Sequence, residues 1–462
     1  MDMECENEPE CFDVIVIGGG PIGSTAARYA KLNGVSRVLM IEENSQVGIP
    51  VQCAGLLSVA ALRESEVEPD DSFVLNSVIG ADVYPPSGVR MQIKGKETMA
   101  YVVSRSAFDQ KLAEMAEKSG VEIRLKTKAI GMKRGADPKK RTAVSDSKDN
   151  LKSADNLEMM TPKSNAPAQK KDVIDAEFEE QDGWILTVAS SGVTQKMFSK
   201  IIIAADGANG RAAGWAGLLP CEKLLSGIQV DAEYESMDSD FVEVFVGSVA
   251  PGFFAWTIPM SDKSSRIGLA IDRDCAKKYS NDEKKANAKS FLTEFLARPE
   301  VAAKIKSEPM NLTAGNIPIG PMKKTYAEGF MVVGDAAGQC KPISGGGIYP
   351  GAVAAKIAGK VAAQAVLSNN FSEKKMSEYE KLWKKELKRE FDIGMMAHGR
   401  REKMGDADMN AIFAELNDPE ILAIINEYGD MDHPSVLIQK LMLSKHSWKM
   451  MKVFGAFLKS LI

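Results

Sequence analysis

The sequence predicts an α/β protein: a Rossmann-like dinucleotide-binding domain, an antiparallel-sheet substrate domain and a helical C-terminal region. Three observations predict it. Asp13 to Ile17 is an apolar run suited to a strand buried on both faces, and Gly18-x-Gly20-x-x-Gly23 follows it directly. Two later apolar runs, Lys200 to Ala205 and Phe330 to Val333, end in Asp206-Gly207 and Gly334-Asp335. Between these, the stretches 77–103 and 218–310 carry the short, partly alternating runs of antiparallel strands.

The first glycine of the opening motif allows a tight turn, the second lets backbone approach a pyrophosphate, and the third lets helix pack closely on strand. Pro21 stands where a helix begins, and Ser24 to Leu32, with Ala26, Ala27 and Ala30, continues it. Its free N–H groups and dipole would face phosphates. Arg37 to Ile41 reads as the second strand and delivers Glu42 about 20 residues downstream, where an acid accepts from a ribose.

Gly48-Ile-Pro-Val-Gln-Cys53-Ala54-Gly55 is predicted as an extended loop beside the cofactor. Cys53 within it is either a working thiol or a small buried hydrophobe. Ser77 to Val103 reads as an antiparallel hairpin. A helix then runs to Ser119, with Phe108, Leu112, Met115 and Ala116 on one face. Arg105 at its start serves a phosphate or caps charge. Val121 to Met132 is predicted as a single strand.

Lys133 to Gln181 is crowded with polar residues and has few large apolar ones, so its first part, 133–175, is expected to be a mobile insertion. Antiparallel strands are expected between Ser226 and Asp272, and a helix pair between Asn281 and Ser307. Gly345, Gly346 and Gly347 precede the helix Ala352 to Leu367 and form a backbone nest for an anion. The region 371–462 is helical by pattern. The dinucleotide domain is thus assembled from 1–76, 104–217 and 311–370, the substrate domain from 77–103 and 218–310.

Composition narrows the partners. The 462 residues carry a net charge of −5, which argues against nucleic acid. Six cysteines (5, 11, 53, 221, 275 and 340) show no Cys-x-x-Cys pair, which suits a reducing cytoplasm and excludes a C-terminal iron–sulfur cluster; no metal site is expected. No signal peptide and no spanning run of about 18 apolar residues is visible. The end of the chain, His433 to Ile462, contains Lys440, Lys445, Lys449, Lys452 and Lys459 and no acid. At helical spacing it reads as a basic amphipathic helix lying on an anionic membrane surface, the alternative being a helix docked on the protein. The expected location is cytoplasmic, peripheral at the inner membrane surface on the first of these readings.

In their order, Gly18-x-Gly20-x-x-Gly23, Asp206-Gly207 and Gly334-Asp335 resemble the motifs of p-hydroxybenzoate-hydroxylase-like FAD oxidoreductases. More narrowly, the chain resembles the geranylgeranyl reductase family. The matching pieces are Gly48-x-Pro-Val-Gln-Cys53-Ala54-Gly55, Val103-Ser-Arg105-Ser-Ala-Phe108-Asp109, Trp256-x-x-Pro259 with Ile267-Gly268, and Gly334-Asp335-Ala-Ala-Gly338 with Gly345-Gly-Gly347-Ile348. It departs from the family pattern at Leu56, Ile258 and Met260, where the family usually carries Gly, Phe and Lys.

The resemblance implies FAD as cofactor, with Gly20 and Ile22 on the pyrophosphate and Glu42 on the adenosine ribose. It implies Arg105 at the ribityl–phosphate region, Ala129 at the adenine and Asp335 on the ribityl hydroxyls. Gly347 and Ile348 would face the N1/O2 edge of the isoalloxazine, with Cys53, Ala54 and Gly55 beside the ring. Phe254, Trp256 and Pro259 would line the substrate pocket. The implied reaction is hydrogenation of C=C bonds in geranylgeranyl chains of digeranylgeranylglycerol (phospho)lipids. Cys53 either donates the proton or shapes the pocket. Electrons would come from reduced ferredoxin, a deazaflavin or NAD(P)H. The rival readings are reduction of another prenylated lipid, such as a prenyl diphosphate or quinone-like carrier, and a flavin-dependent halogenase or monooxygenase of the same fold.

Overall fold

The computed structural model describes residues 9–138, 182–280, 282–445 and 447. The expected insertion and the lysine-rich C-terminal helix fall largely on 139–181 and 448–462, outside the described residues.

Strand β1 (Glu10–Ile17) lies at the centre of an eight-stranded sheet. Helix α1 (Pro21–Leu32) returns the chain to strand β2 (Val38–Ile41), which pairs parallel to β1 in register Val14↔Val38. On the other side, β1 pairs parallel with Val193–Ala204, and that strand with Phe330–Val332. The three apolar runs are therefore adjacent and parallel, and the chain leaves all three on the same edge of the sheet. Such strands must be apolar on both faces, and Val14 to Ile17, Val38 to Ile41 and Ile201 to Ala204 are all buried.

One face of this sheet is covered by α1 and the helix Ile348–Leu367. Small residues set their approach: a Cβ at Gly359 would stand 2.7 Å from the Ala26 carbonyl oxygen. The helix Glu373–Arg401 closes the same layer with Tyr379, Trp383 and Phe391. The Val121 to Met132 segment differs from expectation. It is two strands, Glu122–Arg124 and Thr127–Gly135, because Lys126 takes a left-handed backbone (φ 51°) and breaks the run.

A seven-stranded sheet forms the second layer, in the order Met310–Ile319, Lys223–Glu233, Ser264–Ile271, Phe254–Ser261, Phe241–Val246, Gly80–Tyr84, Met91–Lys94. One face buries Phe291, Leu292 and Phe295 of the helix Ala288–Leu296. The other packs Trp256, Ile258 and Leu225 against Ala54, Leu56 and Val102. The 77–103 stretch is not one hairpin. Gly80–Tyr84 and Met91–Lys94 pair antiparallel in the large sheet, whereas Ala100–Val103 joins Leu56–Ser58 and Val74–Val78 in a separate three-stranded sheet. The C-terminal region contains four helices among its described residues, Glu373–Arg401, Asp406–Leu416, Pro419–Tyr428 and Pro434–Leu443. No described helix is long and apolar enough to cross a membrane.

Candidate active site

The three glycine–acid motifs converge at the edge where the parallel strands end. A Cβ on Gly18 would stand 2.3 Å from the Ala205 carbonyl oxygen, which brings the first motif against the second. Ile22 lies against Gly334 and Gly351, its Cγ2 and Cδ1 at 3.0 and 2.6 Å from the Cβ positions, which ties the first motif to the third. Gly23 is required by contact, since a Cβ there would meet the Gly18 carbonyl oxygen at 2.0 Å. Gly20 differs: it caps α1, and a Cβ on it would find no protein atom within 4 Å. Gly207 is open in the same way. Open backbone at a helix N-terminus fits a pyrophosphate.

Glu42 leaves β2 toward this edge. Its Oε2 accepts from the Gly19 N–H at 2.9 Å, and its Oε1 accepts from Asn44 N and Nδ2 at 2.9 and 2.7 Å. The Glu42 carbonyl accepts from Thr127 N at 2.8 Å, so Ala129, two residues on, belongs to the same corner. Asp206 turns inward: its Oδ2 caps the helix Ala212–Trp215 through Arg211 and Ala212 N–H groups at 2.7 and 2.9 Å.

Asp335 lies beside Gly347, where a Cβ would approach its Oδ1 at 2.5 Å. Burial raises the Asp335 carboxyl above its ordinary pKa, and the Arg105 charge opposes this. Gly347 caps the 20-residue helix Ile348–Leu367 without a side-chain partner, so the first-turn N–H groups of that helix are available to an anion. Gly345 takes φ 73°, which favours glycine, and the Ser344 hydroxyl next to it is buried with no partner among the described residues. Open glycines, an acid short of donors and an orphaned hydroxyl together suit a dinucleotide whose far end is a polar ring.

Cys53 is half-buried, and its Sγ accepts from Gly55 N at 3.4 Å. Arg105 reaches it but is held chiefly by Asp109, at 2.9 and 3.0 Å. Burial works against the Arg105 charge; the Asp109 carboxylate outweighs it and raises the Arg105 pKa. Two residues that the sequence reading missed hold the loop from the large sheet. Arg266 Nη1 donates to the Ala54 and Val103 carbonyls at 2.7 and 3.0 Å, and Gln229 Nε2 donates to the Cys53 carbonyl at 3.1 Å. Gly55 has φ 73° and no room for a side chain, since a Cβ would meet Arg266 Nη1 at 2.2 Å. The available signal was a Gln between Ile228 and Val230 and an Arg before Ile267, polar residues next to apolar ones in two predicted strands.

Phe254 and Trp256 share the strand face turned to this loop, their rings edge-on at 5.9 Å. Pro259 has the opposite parity, so the structure places it off that face; its carbonyl accepts from Asn76 Nδ2 at 3.0 Å. A cavity of ≈ 340 Å³ opens at Gln52, between Asn209, Gly227, Gly315 and Asn316. Among the described residues no cluster of side chains suits a metal ion.

A parallel sheet whose three strand ends build a glycine-lined dinucleotide cradle, faced by an antiparallel sheet, defines a flavin-binding oxidoreductase of the p-hydroxybenzoate-hydroxylase type. The fold is shared with a p-nitrophenol 4-monooxygenase from Pseudomonas putida (TM-score 0.63, 17% identity, 90% of this chain and 97% of that one). Greater likeness is to a geranylgeranyl bacteriochlorophyll reductase-like protein from Thermoplasma acidophilum, with TM-score 0.74 and 25% identity over 96% of this chain and 99% of that one. No family model matches the chain. In sequence it is 32% identical to the digeranylgeranylglycerophospholipid reductase of Methanococcus aeolicus, over 87% of this chain and 89% of the relative. It is 31% identical to that of Methanocaldococcus jannaschii, over 88% and 91%. The chain belongs to the digeranylgeranylglycerophospholipid reductase family.

Proposed function

We propose that this chain is an FAD-dependent reductase that hydrogenates C=C bonds in the geranylgeranyl chains of digeranylgeranylglycerol phospholipids. The observation that carries the reading is the convergence of three dinucleotide motifs on a cysteine loop backed by an apolar sheet face, in a chain of this family. FAD, when bound and reduced, supplies the hydride; the protein positions the alkene and excludes water.

In this reading Gly20 and Ile22 border the pyrophosphate, Glu42 holds the adenosine ribose and Ala129 borders the adenine. Asp335 accepts from the ribityl hydroxyls. Gly347 and Ile348 offer N–H groups and a helix dipole to the pyrimidine edge of the flavin, where negative charge collects on reduction. Arg105, with two of its five donors on Asp109, offers its charge and its remaining donors to the ribityl–phosphate region of the cofactor. Phe254 and Trp256 flank the prenyl chain, and Cys53 is the group placed to give a proton to the alkene carbon that does not take the hydride. The FAD domain is assembled from 1–76, 104–217 and 311–370. The electron donor is external, a reduced ferredoxin, a deazaflavin or NAD(P)H, and the lipid substrate draws the protein to a membrane surface.

Dithionite-reduced protein incubated with digeranylgeranylglycerol phospholipid should yield products heavier in steps of two hydrogens by mass spectrometry. Unchanged lipid in the presence of fully reduced, flavin-loaded protein would refute the assignment. Flotation with anionic vesicles tests the membrane contact.

A further inference from the structure

Two side chains on the sheet face above the cysteine loop end in buried polar atoms with no hydrogen-bond partner among the described residues: Gln229 Oε1 and Trp256 Nε1. Gln229 is 5% exposed and Trp256 8%. They are neighbours by register, because Gly268 on the intervening strand pairs with Gln229 on one side and Trp256 on the other. Gly268 also lets them close together. A Cβ there would stand 2.5 Å from Gln229 Cβ and 2.8 Å from Trp256 Cζ2.

The orientation of the amide follows from its other contact. The Cys53 carbonyl can only accept, so the Gln229 nitrogen faces it at 3.1 Å and the amide oxygen points away. Leaving such an oxygen or an indole N–H unpaired in an interior is costly, because the group has given up its water without a replacement. The indole only donates and the amide oxygen only accepts, so one ligand that serves both must accept one hydrogen bond and donate another. A cation or a carboxylate would satisfy one atom and repel the other. A single O–H group satisfies both, and the surrounding Ala54, Phe254 and Ile258 leave the site otherwise apolar.

We propose that Trp256 Nε1 and Gln229 Oε1 hold one water molecule against the cysteine loop, and that this water returns to Cys53 the proton spent on each double bond. The proposal rests on the reading of the chain as a prenyl-lipid reductase. The balance is as follows. The alkene π bond breaks, one carbon takes a hydride from the two-electron-reduced flavin, and the other takes the Cys53 S–H proton. The thiolate then takes a proton from the held water, which takes one from bulk solvent as it gives its own. Arg105 and Arg266, both within electrostatic reach of Cys53, stabilise the thiolate between these steps. Trp256 and Gln229 are positioning residues here, acting through the water.

A high-resolution crystal structure of the flavin-loaded protein is the first test. One ordered water within hydrogen-bond distance of both atoms supports the proposal; a dry niche, or a direct bond between Trp256 and Gln229, overturns it. The kinetic test uses Trp256→Phe, with Gln229→Leu as the second variant should the first lose flavin. Steady-state kcat should fall by roughly a hundredfold in both variants, with little change in lipid KM for Gln229→Leu, which does not border the prenyl chain, and the D2O solvent isotope effect should rise because thiol reprotonation has become limiting. An unchanged kcat, or a fall in kcat with the wild-type isotope effect, overturns the proton role. A wild-type enzyme that saturates no prenyl chain refutes the reductase reading instead and takes the proton role with it, while the crystal structure still decides the water site.

Discussion

Arg105 donates to both oxygens of Asp109, from Nε to Oδ1 at 2.9 Å and from Nη2 to Oδ2 at 3.0 Å, one turn apart on the same helix and both largely buried. The fork-to-fork geometry spends two of the guanidinium donors on a neighbour rather than on a ligand. Three donors remain for the site, and the Arg105 charge opposes the rise that burial gives the Asp335 pKa. Removing the carboxylate strands a buried cation, which costs about 3–5 kcal/mol. Asp109→Ala should lower the urea midpoint accordingly and release flavin. A midpoint equal to the wild type would show that the pair contributes nothing to stability.

Gly20 and Gly23 should separate folding from cofactor binding. At Gly23 an added Cβ would meet backbone, the Gly18 carbonyl oxygen at 2.0 Å, and backbone cannot turn aside as a side-chain tip can. Gly23→Ala should be recovered poorly folded, if at all. At Gly20 the added methyl meets no protein atom within 4 Å, and the residue has φ −64°, open to any side chain. Gly20→Ala should keep its circular dichroism and melting temperature as apoprotein. It should bind flavin at least about tenfold more weakly, ~1.4 kcal/mol. Equal flavin content in Gly20→Ala and wild type after dialysis would remove the pyrophosphate from this turn.

Asp335 should show a site residue's conflict between stability and binding. Burial raises its folded-state pKa, so relative to the unfolded chain it adds stability below the ordinary carboxyl pKa of about 3.9. That contribution is lost as pH rises through the folded value. At neutral pH the charge is therefore a burden to the empty protein, and Asp335→Asn apoprotein should melt higher than wild-type apoprotein, with the difference shrinking toward acid. With Asp335 in its proposed role on the ribityl hydroxyls, the same change should weaken flavin binding by about 1.5–3 kcal/mol, roughly ten- to a hundredfold in affinity. Calorimetry of stripped protein and flavin titration give the two readings. An Asn variant less stable than wild type as apoprotein would contradict the burial argument.

The signals of the dinucleotide cradle are local: Gly18, Gly20, Gly23 and Glu42 lie within one βαβ unit and are marked by their spacing, whereas the roles of Asp335 and Gly347, 12 residues apart, come from the family resemblance. What could not be read was long-range. Arg266 and Gln229 reach the cysteine loop from strands more than 170 residues away in sequence, and only sheet register shows that they share a face with Trp256. Parity misled for Pro259, since a motif names neighbours in sequence while a strand turns alternate residues apart. The three-stranded sheet of Leu56–Ser58, Val74–Val78 and Ala100–Val103 was likewise hidden, because its short strands pair across intervening loops instead of with the adjacent hairpin.

His398 carries the last prediction. It lies in the final turn of the helix Glu373–Arg401, is 2% exposed, and approaches the ring of Phe253 at 6.3 Å. Phe253 in turn lies against Gly345 in the glycine nest, 3.3 Å from its Cβ position. Burial pushes the imidazole pKa below the ordinary histidine value, the Arg401 guanidinium adds to this, and Glu402, whose Oε1 is 2.9 Å from Nε2, opposes it. Lys223, itself paired with Asp272 and Glu402, lowers it further. The folded state thus holds His398 neutral where the unfolded chain, near pH 6.5, has begun to bind a proton. Stability is intact above that value and falls as pH drops through it toward the folded pKa, by at most ~1.4 kcal/mol per pH unit for one proton. His398→Gln keeps a neutral polar group of similar reach and removes the titration, so its urea midpoint should decline less than the wild type's between about pH 7 and pH 5. Because the histidine backs the glycine nest through Phe253, wild-type protein should also release flavin over that interval more readily than the variant. Parallel midpoint curves for the two proteins would show that His398 takes no part in the acid response.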